Sequence, residues 1–197
     1  MNLAIIKYNA GNVFSVLCAL KRIGIDAIVT DDPATLRAAD KVIFPGVGEA
    51  SSAMSYLREH HLDSLIKSLT QPVLGICIGM QLLCSHSEEG DTDCLGIFGT
   101  PVRRFCYHSA PGFKIPLVGW NTIDAAPGNF IDATCAGEYL YFVHSYYAPV
   151  CSHTVATCNY IAPFSAALQK DNFFATQFHP EKSGSAGERI LKNFITL

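Results

Sequence analysis

Charge is scarce in this chain. Asp, Glu, Lys and Arg together make up 16 % of its 197 residues, against about 25 % in an ordinary soluble domain. Neither sign dominates: 14 Lys and Arg stand against 17 Asp and Glu, a formal net charge of -3. That near balance argues against nucleic acid or an anionic membrane as the main partner. Long apolar runs are missing too. Hydrophobic residues reach 49 %, yet runs such as residues 42–44 are far shorter than the roughly 20 residues that span a bilayer. The chain opens Met-Asn-Leu-Ala-Ile-Ile, without the basic and apolar regions of a secretory leader. No Walker sequence, internal repeat, low-complexity tract or linker occurs, and the length predicts one domain over 1–197. A chain this size buries about 70 % of its unfolded surface, and the charge deficit implies that part of its outside is covered by something else.

Cys-x-x-Cys is also absent. The eight cysteines, Cys18, Cys77, Cys84, Cys94, Cys106, Cys135, Cys151 and Cys158, are nowhere spaced as in a zinc ribbon or a thioredoxin-type pair. An even count formally allows disulfides, but a chain of this length folds without such staples. The expectation is reduced, half-buried thiols in a cytoplasmic protein.

What is present alternates between two periodicities. Residues 3–7 read as a short buried strand, and 25–29, 41–44 and 73–76 as three further strands. Between them, Val13, Val16, Leu17, Leu20 and Ile23 recur at helical spacing, with Gly24 placed as a C-terminal cap. Asp32-Pro33 opens a short helix over 34–38, and 50–69 is helical with a break near His60-His61. The order predicts an α/β fold: an open, mostly parallel sheet flanked by helices. In the second half, 97–105, 117–124, 139–145, 154–160, 165–169 and 173–178 read as strands. Turns at Pro111-Gly112, Pro127-Gly128 and Lys170-Asp171-Asn172 make them added antiparallel strands, and a last helix covers 187–194.

Ligands of such sheets bind at the carboxyl ends of the strands, where two segments stand out. Gly75-Ile76-Cys77-Ile78-Gly79 joins the fourth strand to a helix. Small residues two before and two after a nucleophile are what a sharp strand-to-helix elbow demands. A sulfur there sits at a helix N-terminus, whose dipole favours the thiolate, and the N–H of Ile78 can face a developing oxyanion. The alternative is a core thiol beside two packing glycines. In Phe178-His179-Pro180-Glu181, His and Glu two apart project to one side of an extended segment, and Pro180 marks the rim of the sheet. A carboxylate there can orient a catalytic base; the alternative is a surface His beside a solvated Glu. Taken together, the two segments form a Cys77–His179–Glu181 triad for acyl transfer by a thiolate. The Pro45-Gly46-Val47-Gly48 loop can turn an N–H from Val47 or Gly48 toward the nucleophile as a second oxyanion donor. A dinucleotide reading of Gly46-x-Gly48 fails for want of a third glycine after a first strand.

Gly-Ile-Cys-Ile-Gly-Met-Gln-Leu-Leu at 75–83 and Gln-Phe-His-Pro-Glu-Lys-Ser at 177–183 resemble the paired motifs of class I glutamine amidotransferases, whose fold is flavodoxin-like. Pro-Gly-Val-Gly (45–48), Gly-Trp-Asn (119–121), Tyr-Phe-Val-His-Ser-Tyr (141–146) and Gln-Lys-Asp-Asn-Phe (169–173) look like those of the glutaminase subunits of imidazole glycerol phosphate synthases, a likeness running from Tyr8 to Phe194. The resemblance implies that Cys77 attacks the amide carbon of L-glutamine and that His179 moves the proton while Glu181 orients it. Ammonia leaves, and a glutamyl thioester is hydrolysed to glutamate. Gln81 and Glu89 match family positions that hold the amino-acid end of the substrate, a solvated turn charge being the alternative for Glu89. His144, Ser145 and Tyr146 match the strand end lining the glutamine pocket. The implied partner is a (β/α)₈-barrel cyclase, in a heterodimer, which uses the ammonia to make imidazole glycerol phosphate and an aminoimidazole carboxamide ribotide in histidine biosynthesis. Asn12 and Trp120 match positions near that contact, a core aromatic being the alternative for Trp120. The family often has Pro-His-Met-Gly-Trp-Asn where this chain has Pro116-Leu117-Val118-Gly119-Trp120-Asn121. No cofactor or metal is implied.

Overall fold

The computed structural model describes residues 1–9, 12–106, 112–125 and 130–197. Ala10, Gly11, Pro111 and the turn expected at Pro127-Gly128 lie outside them. The first half is β1 (Leu3–Ile6), α1 (Val13–Arg22), β2 (Ala27–Thr30), α2 (Pro33–Ala38), β3 (Lys41–Phe44), α3 (Ala50–Glu59), α4 (Leu62–Ser68), β4 (Val73–Ile76) and α5 (Ile78–Leu83). Local chemistry sets the boundaries. Asn12 caps α1 by accepting from the Ser15 N–H at 3.2 Å, and Asp32 caps α2 by accepting from the Thr35 N–H at 2.7 Å. Gly24, at φ 80°, takes the left-handed turn after α1. The break between α3 and α4 falls at His61, whose φ of 55° no helix tolerates.

The second half comprises β5 (His86–Ser87), β6 (Thr92–Asp93), β7 (Arg103–Arg104), β8 (Leu117–Thr122), β9 (Asp124–Ala125), β10 (Tyr139–His144), β11 (Tyr146–Tyr147), β12 (Thr154–Asn159), β13 (Pro163–Lys170), β14 (Phe173–Thr176) and α6 (Gly184–Thr196). Eight strands form one sheet in the order β2-β1-β3-β4-β14-β13-β12-β9. The first five are mutually parallel and the last three add on antiparallel. β1, β3, β4 and β14 are buried at every residue, because helices cover both faces and the strands read as continuous apolar runs. Val16 and Leu20 of α1 pack with Ile190, Leu191 and Phe194 of α6 in one core. Leu36, Met54, Leu57, Ile66, Leu82 and Leu83 from α2 to α5 form the other.

One expected strand is mostly absent. Of residues 97–105 only Arg103 and Arg104 pair as a strand, with Tyr147 and Tyr146. Gly99 and Pro101 interrupt the run, and its backbone bonds go to separate places: the Phe98 N–H to the Leu83 carbonyl, the Val102 N–H to His86 and the Phe105 N–H to Ser145. The strand expected over 173–178 stops at Thr176, after which the His179 N–H bonds the Tyr141 carbonyl at 2.9 Å and ties the main sheet to β10. β10 pairs antiparallel with β8 as a separate ladder.

One close approach that shapes the site lies between α5 and β3. A Cβ on Gly79 would collide with the carbonyl oxygen of Phe44, so the first turn of α5 can press on the end of β3 only with glycine there. Gly79→Ala is expected to destabilise the chain by about 1–3 kcal/mol, the usual cost of overpacking. Thermal unfolding followed by circular dichroism checks this; an unchanged Tm would mean that the contact yields.

Candidate active site

Cys77 follows β4 in a conformation that L-residues avoid, φ 53° and ψ −106°. Its N–H bonds the Thr176 carbonyl at 2.7 Å and its carbonyl accepts the Gln81 N–H at 3.2 Å, so the strand on one side and the helix on the other hold the strain. The neighbours comply because they are small. A Cβ on Gly75 would stand 2.8 Å from Leu83 Cδ1 and 3.0 Å from the Gly79 backbone, and one on Gly46 would strike the Ile78 side chain and come within 2.5 Å of the Tyr8 hydroxyl. Ile78 opens α5, and first-turn N–H groups have no acceptor within their own helix. Tyr8 donates to the Pro45 carbonyl at 2.5 Å and so tethers the start of the glycine loop. Burial, and after it the negative charge of Cys77, keeps the Tyr8 phenol protonated by raising its pKa.

His179 Nδ1 lies 2.7 Å from Glu181 Oε1, with both side chains almost wholly buried. The pair is not made along an extended segment, as the residue pattern suggested. His179 is extended (φ −99°, ψ 94°), but Pro180–Lys182 curls into a 3₁₀ turn. The preset φ of Pro180 suits that tighter turn, which returns the carboxylate to the imidazole. Ser183 locks the arrangement, its hydroxyl donating to the His179 carbonyl at 2.6 Å while accepting the Tyr141 N–H at 3.0 Å. Burial works against an imidazolium, but the Cys77 sulfur and then Glu181 outweigh it and raise the His179 pKa to about 10. Nε2 has no conventional hydrogen-bond partner and the ring interacts with Cys77, so its two nitrogens are divided between the Glu181 carboxyl group and the sulfur.

Beside the sulfur opens a cavity of about 290 Å³ lined by Val47, Gly48, Cys77, Ile78, Gln81, Glu89, His144, Ser145 and Tyr146, together with Pro116 and Val143. Every expected oxyanion and substrate-binding residue is therefore brought to one place. Glu89 is no solvated turn charge: Oε2 accepts the Ala50 N–H at 2.9 Å at the start of α3, and burial raises its carboxyl pKa. His144 Nδ1 donates to the Tyr146 carbonyl at 2.7 Å, and burial lowers its pKa to about 4. The ring is therefore neutral at pH 7, and Nε2 is an acceptor. Asn12 and Trp120 are not cavity residues. Asn12 serves as the cap of α1. Trp120 is 54 % exposed, which removes the core-aromatic alternative.

Three participants escaped the residue-type reading. Gln177 Nε2 lies 3.7 Å from Cys77 Sγ, Ser183 clamps the His179 turn, and Tyr8 tethers the glycine loop. Gln177 and Ser183 flank the His-Pro-Glu motif, which was their only signal. Among the described residues, no cluster of three or more His, Cys, Asp or Glu is disposed to hold a metal ion. The eight cysteines are all free.

Replacing Glu181 by Gln removes the anion that favours the imidazolium. The His179 pKa, followed by NMR of the labelled ring, is expected to fall by about one unit or more, since a hydrogen bond to a charged group contributes roughly 1.5–3 kcal/mol and one unit is about 1.4. An unshifted titration would show that Glu181 does not govern His179.

The family profile described as glutamine amidotransferase class-I matches residues 6–197. Among similar proteins, one from Bacteroides fragilis named imidazole glycerol phosphate synthase subunit HisH is 59 % identical over 197 residues, covering all of both chains. One of the same name from Bacteroides thetaiotaomicron is 56 % identical, again over both full lengths. A solved structure described as a glutamine amidotransferase superposes with a TM-score of 0.75 at 18 % identity, covering 100 % of this chain and 98 % of that one, which speaks for the fold. The elbow, the buried His–Glu pair and these full-length likenesses agree: the chain belongs to the class-I glutamine amidotransferases, and within them to the HisH subunits of imidazole glycerol phosphate synthase.

Proposed function

We propose that Cys77, His179 and Glu181 form the catalytic triad that hydrolyses L-glutamine to glutamate and ammonia. The observation that carries this reading is a nucleophile-type elbow, φ 53° at Cys77, opening on a cavity with a buried His–Glu pair behind it. The thiolate attacks the amide carbon of glutamine, and the carbonyl oxygen gathers negative charge. The Ile78 N–H, with a donor from Val47 or Gly48, stabilises that oxyanion. His179 then gives its proton to the departing ammonia, which leaves a glutamyl thioester. Next, His179 takes a proton from water, the resulting nucleophile attacks the thioester carbon, and glutamate departs as the thiolate re-forms. Glu181 holds one tautomer and supports the charged ring in both halves. At the other end of the substrate, the Glu89 carboxylate suits its ammonium, and Gln81, His144, Ser145 and Tyr146 supply polar contacts.

The ammonia is proposed to pass to a (β/α)₈-barrel cyclase bound to the face formed by β8 and β10. Strand alternation puts Val118, Trp120 and Thr122 on the same side of that ladder as Tyr139, Tyr141 and Val143. Val118, Trp120 and Tyr139 are each more than half exposed, an apolar surface of the kind that partners cover. It adjoins the site, since the Val143 carbonyl lies 3.8 Å from Cys77 Sγ. At the departure from the family pattern, Leu117 is buried and Val118 is 58 % exposed, so only Val118 alters the proposed docking face. Enclosed transfer has a chemical reason: ammonia released to neutral water becomes mostly ammonium, which is no nucleophile. The reading places one domain, 1–197, in the cytoplasm as half of a heterodimer. Among the described residues no helix is long and apolar enough to cross a membrane.

Cys77→Ala is expected to abolish glutamate release from glutamine in the presence of the cyclase and its nucleotide substrate, while cyclase binding measured by calorimetry stays within about twofold. Glutaminase turnover persisting in that variant would end the mechanism.

A further inference from the structure

The Cys77 sulfur stands between two polar neighbours of opposite character. On one side the Val143 carbonyl, 3.8 Å away, can only accept and so suits the thiol. On the other is the side-chain amide of Gln177, wholly buried, with Nε2 at 3.7 Å. An amide can present either its NH₂ or its oxygen, and only the NH₂ stabilises a thiolate. What decides between them lies one residue further back. Gln81 Nε2 is 2.8 Å from the Tyr146 carbonyl and 3.0 Å from Gln177 Oε1. The Tyr146 carbonyl can only accept, so Gln81 must turn its NH₂ that way. The second hydrogen of the same NH₂ then reaches Gln177 Oε1, which leaves Gln177 no choice but to point its own NH₂ at the sulfur. His144 fixes the start of the chain, donating from Nδ1 to the same Tyr146 carbonyl at 2.7 Å.

We propose that Gln177 is a positioning residue that supplies a directed N–H to the Cys77 thiolate, oriented by a buried relay running from the Tyr146 carbonyl through Gln81. This deepens the reading of Cys77 as the nucleophile and rests on it. The relay couples the substrate cavity to the sulfur: Gln81 lines the cavity and has both hydrogens engaged, so it meets a substrate only with its oxygen, an acceptor for an ammonium. His179 and Tyr8 are the titratable groups that interact with the sulfur, and Glu89 and His144 line the same cavity. All four are left in place by the test.

The test is alkylation of Cys77 by iodoacetamide as a function of pH, read by mass spectrometry of the peptide carrying it, in wild type, Gln177→Leu, Gln177→Glu and Gln81→Glu. Without glutamine present, the readout is independent of substrate binding. Gln177→Leu removes the donor, and the near-isosteric Gln177→Glu substitutes acceptors while filling the same space, so a folded variant is at hand if the apolar change lowers yield. Gln81→Glu never touches the sulfur. A carboxylate cannot donate to Gln177 Oε1, so the Gln177 amide turns over and sets its oxygen against the thiolate. Each variant is expected to move the midpoint of the alkylation profile up by about one unit, the span of a charge-assisted hydrogen bond, and so to alkylate Cys77 about tenfold more slowly at pH values below that midpoint. Gln177→Glu is expected to be the slowest. Wild-type rates and profile in either Gln177 variant would overturn the donor, and wild-type behaviour in Gln81→Glu would overturn the relay. Glutaminase activity surviving in Cys77→Ala would instead overturn the nucleophile, so the two failures are distinguishable.

Discussion

One backbone conformation organises this molecule: Cys77 at φ 53°. A non-glycine residue held there costs on the order of 1–3 kcal/mol and persists only where its surroundings over-determine it. The surroundings do so from three directions. Thr176 of β14 holds the Cys77 N–H and Gln81 of α5 holds its carbonyl. Gly75, Gly79 and Gly46 leave no room for side chains that would push the loops apart. These fixed points lie on β4, β14, α5 and the loop after β3, so the ends of those elements must meet at one spot. What the strain yields is a sulfur lifted off the end of the sheet, at the start of a helix, open to a cavity.

Electrostatics then assigns the states. His179 and Glu181 are both buried, an arrangement that would be costly for either charge alone. Paired with each other and with the Cys77 sulfur, they become a compact set in which the imidazolium is the favoured form. His144, a few residues along the cavity wall, has no such anion, and burial, reinforced by the charge of His179, keeps it neutral. In the proposed reaction the two histidines thus divide the work, His179 moving protons and His144 presenting a neutral ring with a free acceptor nitrogen. The side chains that maintain this division, Ser183, Gln177 and Tyr8, belong to the same few strand ends.

Much of this is legible in the amino-acid sequence. The alternation of short apolar strands with amphipathic helices specified the parallel half because β1, β3 and β4 are buried on both faces and show it as continuous runs. Gly75 and Gly79 marked the elbow because their spacing has a steric cause. The misreadings have equally local causes. Residues 97–105 are rich in strand-favouring apolar and aromatic residues, but Gly99 and Pro101 break the ladder, so the buried Phe98, Val102 and Phe105 anchor a loop instead. His179 and Glu181 meet through a 3₁₀ turn, which spacing of two in an extended segment does not foretell. Gln177 was invisible as a participant, since an amide joins the site only through partners 96 and 100 residues away in sequence. Trp120 could be core or contact by type alone, and its exposure removes the core.

The central claim is that Cys77 carries the glutamyl group during turnover. Mixing the chain and its cyclase with glutamine, quenching in acid within the first turnovers and mapping the adduct by mass spectrometry tests it most directly. The account predicts a glutamyl thioester on the peptide holding Cys77 and on no other cysteine peptide. An adduct on a different cysteine, or glutamate formed with no adduct at Cys77 under conditions that preserve thioesters, would contradict it.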